Sequence, residues 1–221
     1  MHRIFAAEFM GTFLLTFIGA GAILQDAAMG DAGYGLLGIA LAHGIALSIG
    51  VSATMNISGA HINPAVTIAL VATGKCKGSQ AGIYIAAQIL GSLVAALLLK
   101  AIFASDIVAA TGLGTPAPAA GVTMGKVILV EVLLTFVLAV AIWGTAVDRR
   151  APAIGGFGIG LAVFVDILVG GPITGGAMNP ARVLGPAIAG GVWDMHVAYW
   201  IGPVVGALLG SFFYKTFIYE E

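Results

Sequence analysis

Charge is what this chain has least of: only 9% of its 221 residues are Asp, Glu, Lys or Arg, against roughly 25% in an ordinary soluble domain. The nine basic and ten acidic residues stand singly or in pairs and leave a formal charge of -1. No polybasic or acidic tail exists to draw a nucleic acid or another macromolecule. A single cysteine, Cys76, excludes an internal disulfide and any zinc site built from cysteines. What is present is apolar: 60% of the residues belong to the AVILMFWYC set, a further 33 are glycine, and the mean hydropathy is +1.07. A soluble fold of this length cannot hide that much apolar surface, and the solvent it fits is lipid.

A bilayer core about 30 Å thick takes about 20 residues of helix at a rise of 1.5 Å each. Six apolar runs of that size are found, over 4–24, 35–55, 80–102, 125–147, 154–171 and 196–218. The first carries Glu8 and no small-residue cleavage site, and so reads as a retained helix rather than a secretory signal. Cytoplasmic loops collect Lys and Arg. With the N-terminus inside, Arg3, Lys75, Lys77, Arg149, Arg150 and Lys215 are cytoplasmic, Lys100 and Lys126 lie outside, and both termini are cytoplasmic. The expected site is the cell membrane, with the Ala/Gly/Pro/Thr-rich connection 104–123 outside.

Two further apolar segments, 64–73 and 180–189, offer about ten helical residues each, or about 15 Å, half a membrane. Each follows a glycine-containing loop, and the two loops match: Ile57-Ser58-Gly59-Ala60-His61-Ile62-Asn63-Pro64-Ala65 against Ile173-Thr174-Gly175-Gly176-Ala177-Met178-Asn179-Pro180-Ala181. Glu8 with Thr12-Phe13 likewise recurs as Glu131 with Thr135-Phe136. The chain therefore reads as one all-α membrane domain, 1–221, made of repeats over approximately 1–103 and 124–221. Three spans per repeat insert the second copy upside down, as in many transport proteins whose site lies at the bilayer midplane.

Asn-Pro-Ala is a helix start: Asn caps, Pro suits the first helical position, and Ala propagates. Irregular backbone at membrane depth is tolerated only where protein buries it or water lines it. Two helix N-termini meeting there would bring roughly half a positive charge each into a narrow passage and repel cations. With its oxygen spent as a cap, each Asn amide still has N–H donors for the lumen. Water accepting from Asn63 and Asn179 turns its hydrogens outward, and the wire needed for proton hopping is broken.

The paired boxes Asn63-Pro64-Ala65 and Asn179-Pro180-Ala181, the Arg182 after the second, and the repeated Glu-x-x-x-Thr-Phe together resemble the aquaporins of the major intrinsic protein family, over essentially the whole chain. The resemblance implies six transmembrane helices plus two re-entrant half-helices in an inverted repeat, assembled as a homotetramer in the lipid bilayer. It implies a passive channel for water and small neutral solutes such as ammonia and dissolved gases, with no cofactor, no metal and no nucleic-acid partner, and no enzyme activity. A glycerol or small-polyol facilitator is the alternative, and an ion-coupled secondary transporter a more distant one.

The same resemblance implies a four-residue constriction. His43 lies twenty residues before Asn63, Ile167 twelve and Gly176 three before Asn179, and Arg182 completes the set. This set resembles the filter of some plant tonoplast intrinsic proteins. Val183 and Ala187 stand where glycerol facilitators carry Asp and a basic residue. The carbonyls of Gly59, Ala60 and His61 and of Gly175, Gly176 and Ala177 are expected to line the approach as acceptors. Glu8 and Glu131 are expected to accept hydrogen bonds from the inserting loops, as a buried charge requires. Asp166 and Asp194 are expected to be solvated.

Overall fold

The computed structural model describes residues 1–220, and among these it is helical with no strand. Six long helices carry the architecture: α1 (His2–Met29), α2 (Gly35–Ser58), α4 (Gly78–Ile102), α6 (Met124–Ile142), α7 (Phe157–Thr174) and α9 (Ala198–Phe217). Two short ones, α3 (Pro64–Ala72) and α8 (Pro180–Gly190), are the half-length segments, and α5 (Ser105–Thr111) lies in the connection between the repeats. Five of the long helices are long and apolar enough to cross a bilayer by length and composition. The sixth, α9, has 20 residues and carries Tyr199, Trp200, Tyr214 and Lys215 toward its ends.

Lipid offers no partner to a bare N–H or C=O, so helices that satisfy their own backbone are the elements this composition selects. The outward faces remain apolar. On α2, Leu37, Leu41, Ile45 and Ile49 follow one another along one face and are all exposed. Inside, glycine allows close approach: a Cβ on Gly91 of α4 would run into the Phe9 carbonyl of α1, and one on Gly206 of α9 into the Val132 carbonyl of α6.

The two repeats interlock. Helix α1 packs on α2 and α4, α6 packs on α7 and α9, and α2 joins α7 across the middle. Each half-helix then docks on the last long helix of the other repeat, α3 on α9 and α8 on α4. Lysines close their C-terminal ends, where free carbonyls and the negative end of the dipole need a cation. Lys215 Nζ donates to the Thr73 carbonyl at 2.9 Å and Lys100 Nζ to the Ala189 carbonyl at 2.7 Å.

Three features differ from the expected runs. Helix α1 continues to Met29, past the expected end at 24, which leaves only a short turn before α2. Helix α6 ends at Ile142 and the span finishes in one π-helical turn, Trp143–Val147, with Asp148 N donating to the Trp143 carbonyl at 2.9 Å. The connection 104–123 is not a bare loop: Leu113 is fully buried with Leu24 and Leu99, anchoring the segment to the ends of α1 and α4.

Candidate functional site

The two inserting loops have the same backbone conformation. Gly59 and Gly175 lie at φ 86° and 85°, Ala60 and Gly176 at 50° and 58°, and Ile62 and Met178 at 55° and 52°. A β-branched residue such as Ile62 rarely adopts positive φ, at a cost of order 1–3 kcal/mol unless its surroundings hold it. The holding groups are two carboxylates, both fully buried. Glu8 accepts from Ser58 Oγ (2.6 Å), His61 N (2.9 Å), Ile62 N (2.6 Å) and Gln88 Nε2 (2.8 Å). Glu131 accepts from Thr174 Oγ1 (2.7 Å), Ala177 N (3.0 Å) and Met178 N (2.7 Å).

The loops end in capping asparagines at extended φ. Asn63 Oδ1 accepts from Ala65 N at 2.9 Å, and Asn179 Oδ1 from Ala181 N at 3.1 Å and Arg182 N at 3.3 Å. Their amides are then exchanged across the repeat: Asn63 Nδ2 donates to the Met178 carbonyl at 2.8 Å and Asn179 Nδ2 to the Ile62 carbonyl at 2.9 Å. Of the two N–H groups on each amide, one is spent on the opposite loop and one is left. Both asparagines line a single cavity of about 320 Å³ that also reaches His43 and Arg182 at one end and Lys75 at the other.

His43, Ile167, Gly176 and Arg182 all line this cavity. Arg182 is 3% exposed, its Nη2 lies 3.2 Å from His43 Nε2, and its Nη1 has no protein partner among the described residues. His43 Nδ1 lies 2.8 Å from the Ile39 carbonyl, which accepts its proton and leaves Nε2 to accept from the guanidinium. A Cβ on Gly176 would stand 3.4 Å from Ile167, so the small residue and the branched one share one wall.

Gly59, Ala60, His61, Gly176 and Ala177 are among the residues that line the cavity. Gly175 faces the connection between repeats, where an added Cβ would meet Pro116 at 2.9 Å. Asp166 departs from its expected solvation. It is buried rather than solvated, with Oδ2 unpartnered, because its position on α7 turns toward the packed interior. Asp194 is exposed.

A model of the family described as "Major intrinsic protein" matches residues 1–214. The chain belongs to the major intrinsic protein family. It is 42% identical to aquaporin TIP4-4 of Zea mays over 219 residues, 96% of this chain and 85% of that one. It is 40% identical to aquaporin A of Dictyostelium discoideum, over 98% of this chain and 79% of the relative. Its fold is similar to the X-ray structure of the aquaglyceroporin from Plasmodium falciparum, with a TM-score of 0.88 at 26% identity, covering 98% and 96% of the two chains. As a major intrinsic protein it is a multi-pass membrane protein with the aquaporin fold.

Gln88 and Tyr84, which sequence reasoning passed over, belong to this site's support together with Tyr199 and His61. Gln88 bonds Glu8 and also Thr67 Oγ1 at 3.1 Å. Tyr84 and Tyr199 each donate a hydroxyl, at 2.6 Å, to the carbonyls of Ser58 and Thr174, the equivalent last residues of α2 and α7. His61 stacks on Tyr84 with centroids 4.3 Å apart. The available signal was a lone amide or phenol in an otherwise apolar span, which calls for a polar partner.

Proposed function

We propose that this protein is a passive, bidirectional channel for water and small neutral solutes such as ammonia and dissolved gases, and that it excludes protons and other ions. Membership of a family of channels, rather than any missing group, sets aside an enzyme. The observation that carries the reading is the reciprocal Asn63–Met178 and Asn179–Ile62 exchange inside one cavity. It fixes both amides, so the remaining N–H groups can donate to the same water column. A water that accepts from both has no lone pair free for a neighbour.

In this reading the carbonyls of Gly59, Ala60, His61, Gly176 and Ala177 accept from the column on its way to the asparagines. Glu8 and Glu131 hold the loops that present those carbonyls. His43, Ile167, Gly176 and Arg182 form the constriction. With Ile167 and Gly176 apolar or small, its side-chain hydrogen-bonding capacity rests on Arg182 once His43 is committed to it. The fold neighbour from Plasmodium falciparum is named an aquaglyceroporin, which keeps glycerol among the solutes to be measured. Val183 and Ala187, both fully buried, favour water.

The repeats 1–103 and 124–221 act as one channel unit, assembled as a homotetramer with one pore per subunit. Both termini face the cytoplasm, by the asymmetry of Lys and Arg. The sequence expectation places the chain in the cell membrane, whereas the TIP-type names of the plant relatives favour a vacuolar one; fractionation of native membranes separates the two. The functional test is a permeability panel for water, ammonia and glycerol in one proteoliposome preparation. Fast water and ammonia with slow glycerol supports this reading; glycerol as fast as water moves the protein to the facilitators.

A further inference from the structure

The cavity end opposite Arg182 is lined by Met55, Ala146, Val147 and Lys75. Lys75 follows α3 in a fixed turn, its N–H donating to the Leu70 carbonyl at 2.8 Å. Its ammonium donates to the Tyr219 hydroxyl at 2.9 Å, and stands 4.1 Å from the Tyr219 ring and 5.5 Å from that of Trp143. Trp143 is fully buried in the π-helical turn and meets Tyr219 edge-on, with centroids 5.6 Å apart.

Tyr219 is held in turn. Its N–H donates to the Tyr214 carbonyl at 2.9 Å, and Arg150 ties the segment on both sides, donating from Nη2 to the Ile218 carbonyl at 2.8 Å and from Nη1 to Glu220 Oε2 at 3.0 Å. Arg150 also pairs with Asp148 at 2.7 Å, and its guanidinium keeps that carboxyl well below the usual carboxylate range, so the pair stays charged. Asp148 and Glu220 are thus both committed to Arg150, and among the described residues no carboxylate pairs with Lys75. Phenol and indole faces attract a cation without cancelling its charge.

We propose that Lys75 is a second cationic selectivity residue of this pore, stationed at the mouth opposite Arg182 by Tyr219 and Trp143. A permeating cation then meets one positive charge at each end of the cavity, with the two helix N-termini between them. Because Lys75 is exposed to solvent, its repulsion is screened by salt, with a Debye length of about 30 Å at 0.01 M and about 8 Å at 0.15 M.

The proposal rests on the pore reading above, and its test separates the two. Potassium leak is measured in proteoliposomes of the full chain carrying Arg182→Val, alone and combined with Lys75→Met, Lys75→Arg or Tyr219→Ala, at the two salt concentrations; wild-type water flux is measured in the same lipids. Lys75→Met should raise the leak about three- to tenfold at low salt and clearly less at high salt. Lys75→Arg should leave it at the parent level, and Tyr219→Ala should raise it part of the way. Leaks that do not differ between the Arg182→Val parent and its Lys75→Met double variant, present or absent, overturn the proposal, as does a difference indifferent to salt. Absent wild-type water flux overturns the pore reading and this proposal together.

Discussion

Arg182 Nη2 and His43 Nε2 are 3.2 Å apart, with the second nitrogen of the imidazole anchored to the Ile39 carbonyl. The Arg182 guanidinium of the proposed constriction is therefore aimed by the His43 imidazole. The aim depends on Gly19 of α1, because a Cβ there would overlap the His43 ring.

Gly19→Ala should displace His43, release Arg182 and lower water permeability several-fold, although Gly19 is not itself a lining residue. Stopped-flow shrinkage of proteoliposomes measures it. Permeability equal to wild type would mean that the ring can shift without consequence.

His43→Phe removes the acceptor and narrows the passage. Ammonia flux should fall more than water flux, because a bulkier and less polar wall penalises the larger solute first. Equal losses of both would remove His43 from the constriction.

Arg182→Val removes a buried charge from the lining. A unit charge about 4 Å from a permeating ion is worth about 4 kcal/mol at an effective dielectric of about 20, so cation leak should rise at least tenfold despite the remaining helix dipoles. Planar-bilayer conductance gives the answer, and an unchanged leak would assign exclusion to the asparagine pair alone.

Glu131→Gln replaces two acceptor oxygens by one oxygen and one NH₂ that faces donors. At least one of the loop N–H groups of Ala177 and Met178 loses its partner, at about 1–3 kcal/mol, while Met178 keeps its strained φ of 52°. The thermal midpoint in detergent should drop and water flux should fall with it. A variant as stable as wild type would show that the loop is held by other means.

The spans and the two half-helices were legible in the chain because lipid imposes a length on every spanning helix and Asn-Pro marks a start. Pairing of the loops was legible too, since their residues repeat position by position. Other features depend on geometry that no local pattern encodes. The exchange of amides between Asn63 and Asn179 exists only once the half-helices meet, and the π-helical turn after Ile142 gives no sequence signal distinct from more helix. Asp166 looked solvated because a lone carboxylate usually is; which side of α7 faces the interior was not specified by a span apolar all round. Gly175 matched its counterpart Gly59 in sequence, yet packs on Pro116 of a connection that has no partner in the first repeat.

Glycine roles give a paired stability test. Gly82 in α4 has open space around it, so Gly82→Ala should stabilise by about 0.5–1 kcal/mol through helix propensity. Gly185 in α8 is pressed on Ser92, an added Cβ lying 2.6 Å from its carbonyl oxygen, and Gly185→Ala should destabilise and lower water flux by shifting α8. Thermal unfolding of both variants checks the sign, and like signs would contradict the packing described.

The most direct test measures water and proton permeability together in the same proteoliposomes. Water flux should stand well above that of empty vesicles, with a low activation energy close to that of bulk water diffusion, and proton flux should be no greater than the bare lipid allows. Water flux at the lipid level, or protons moving with the water, would contradict a column interrupted at Asn63 and Asn179.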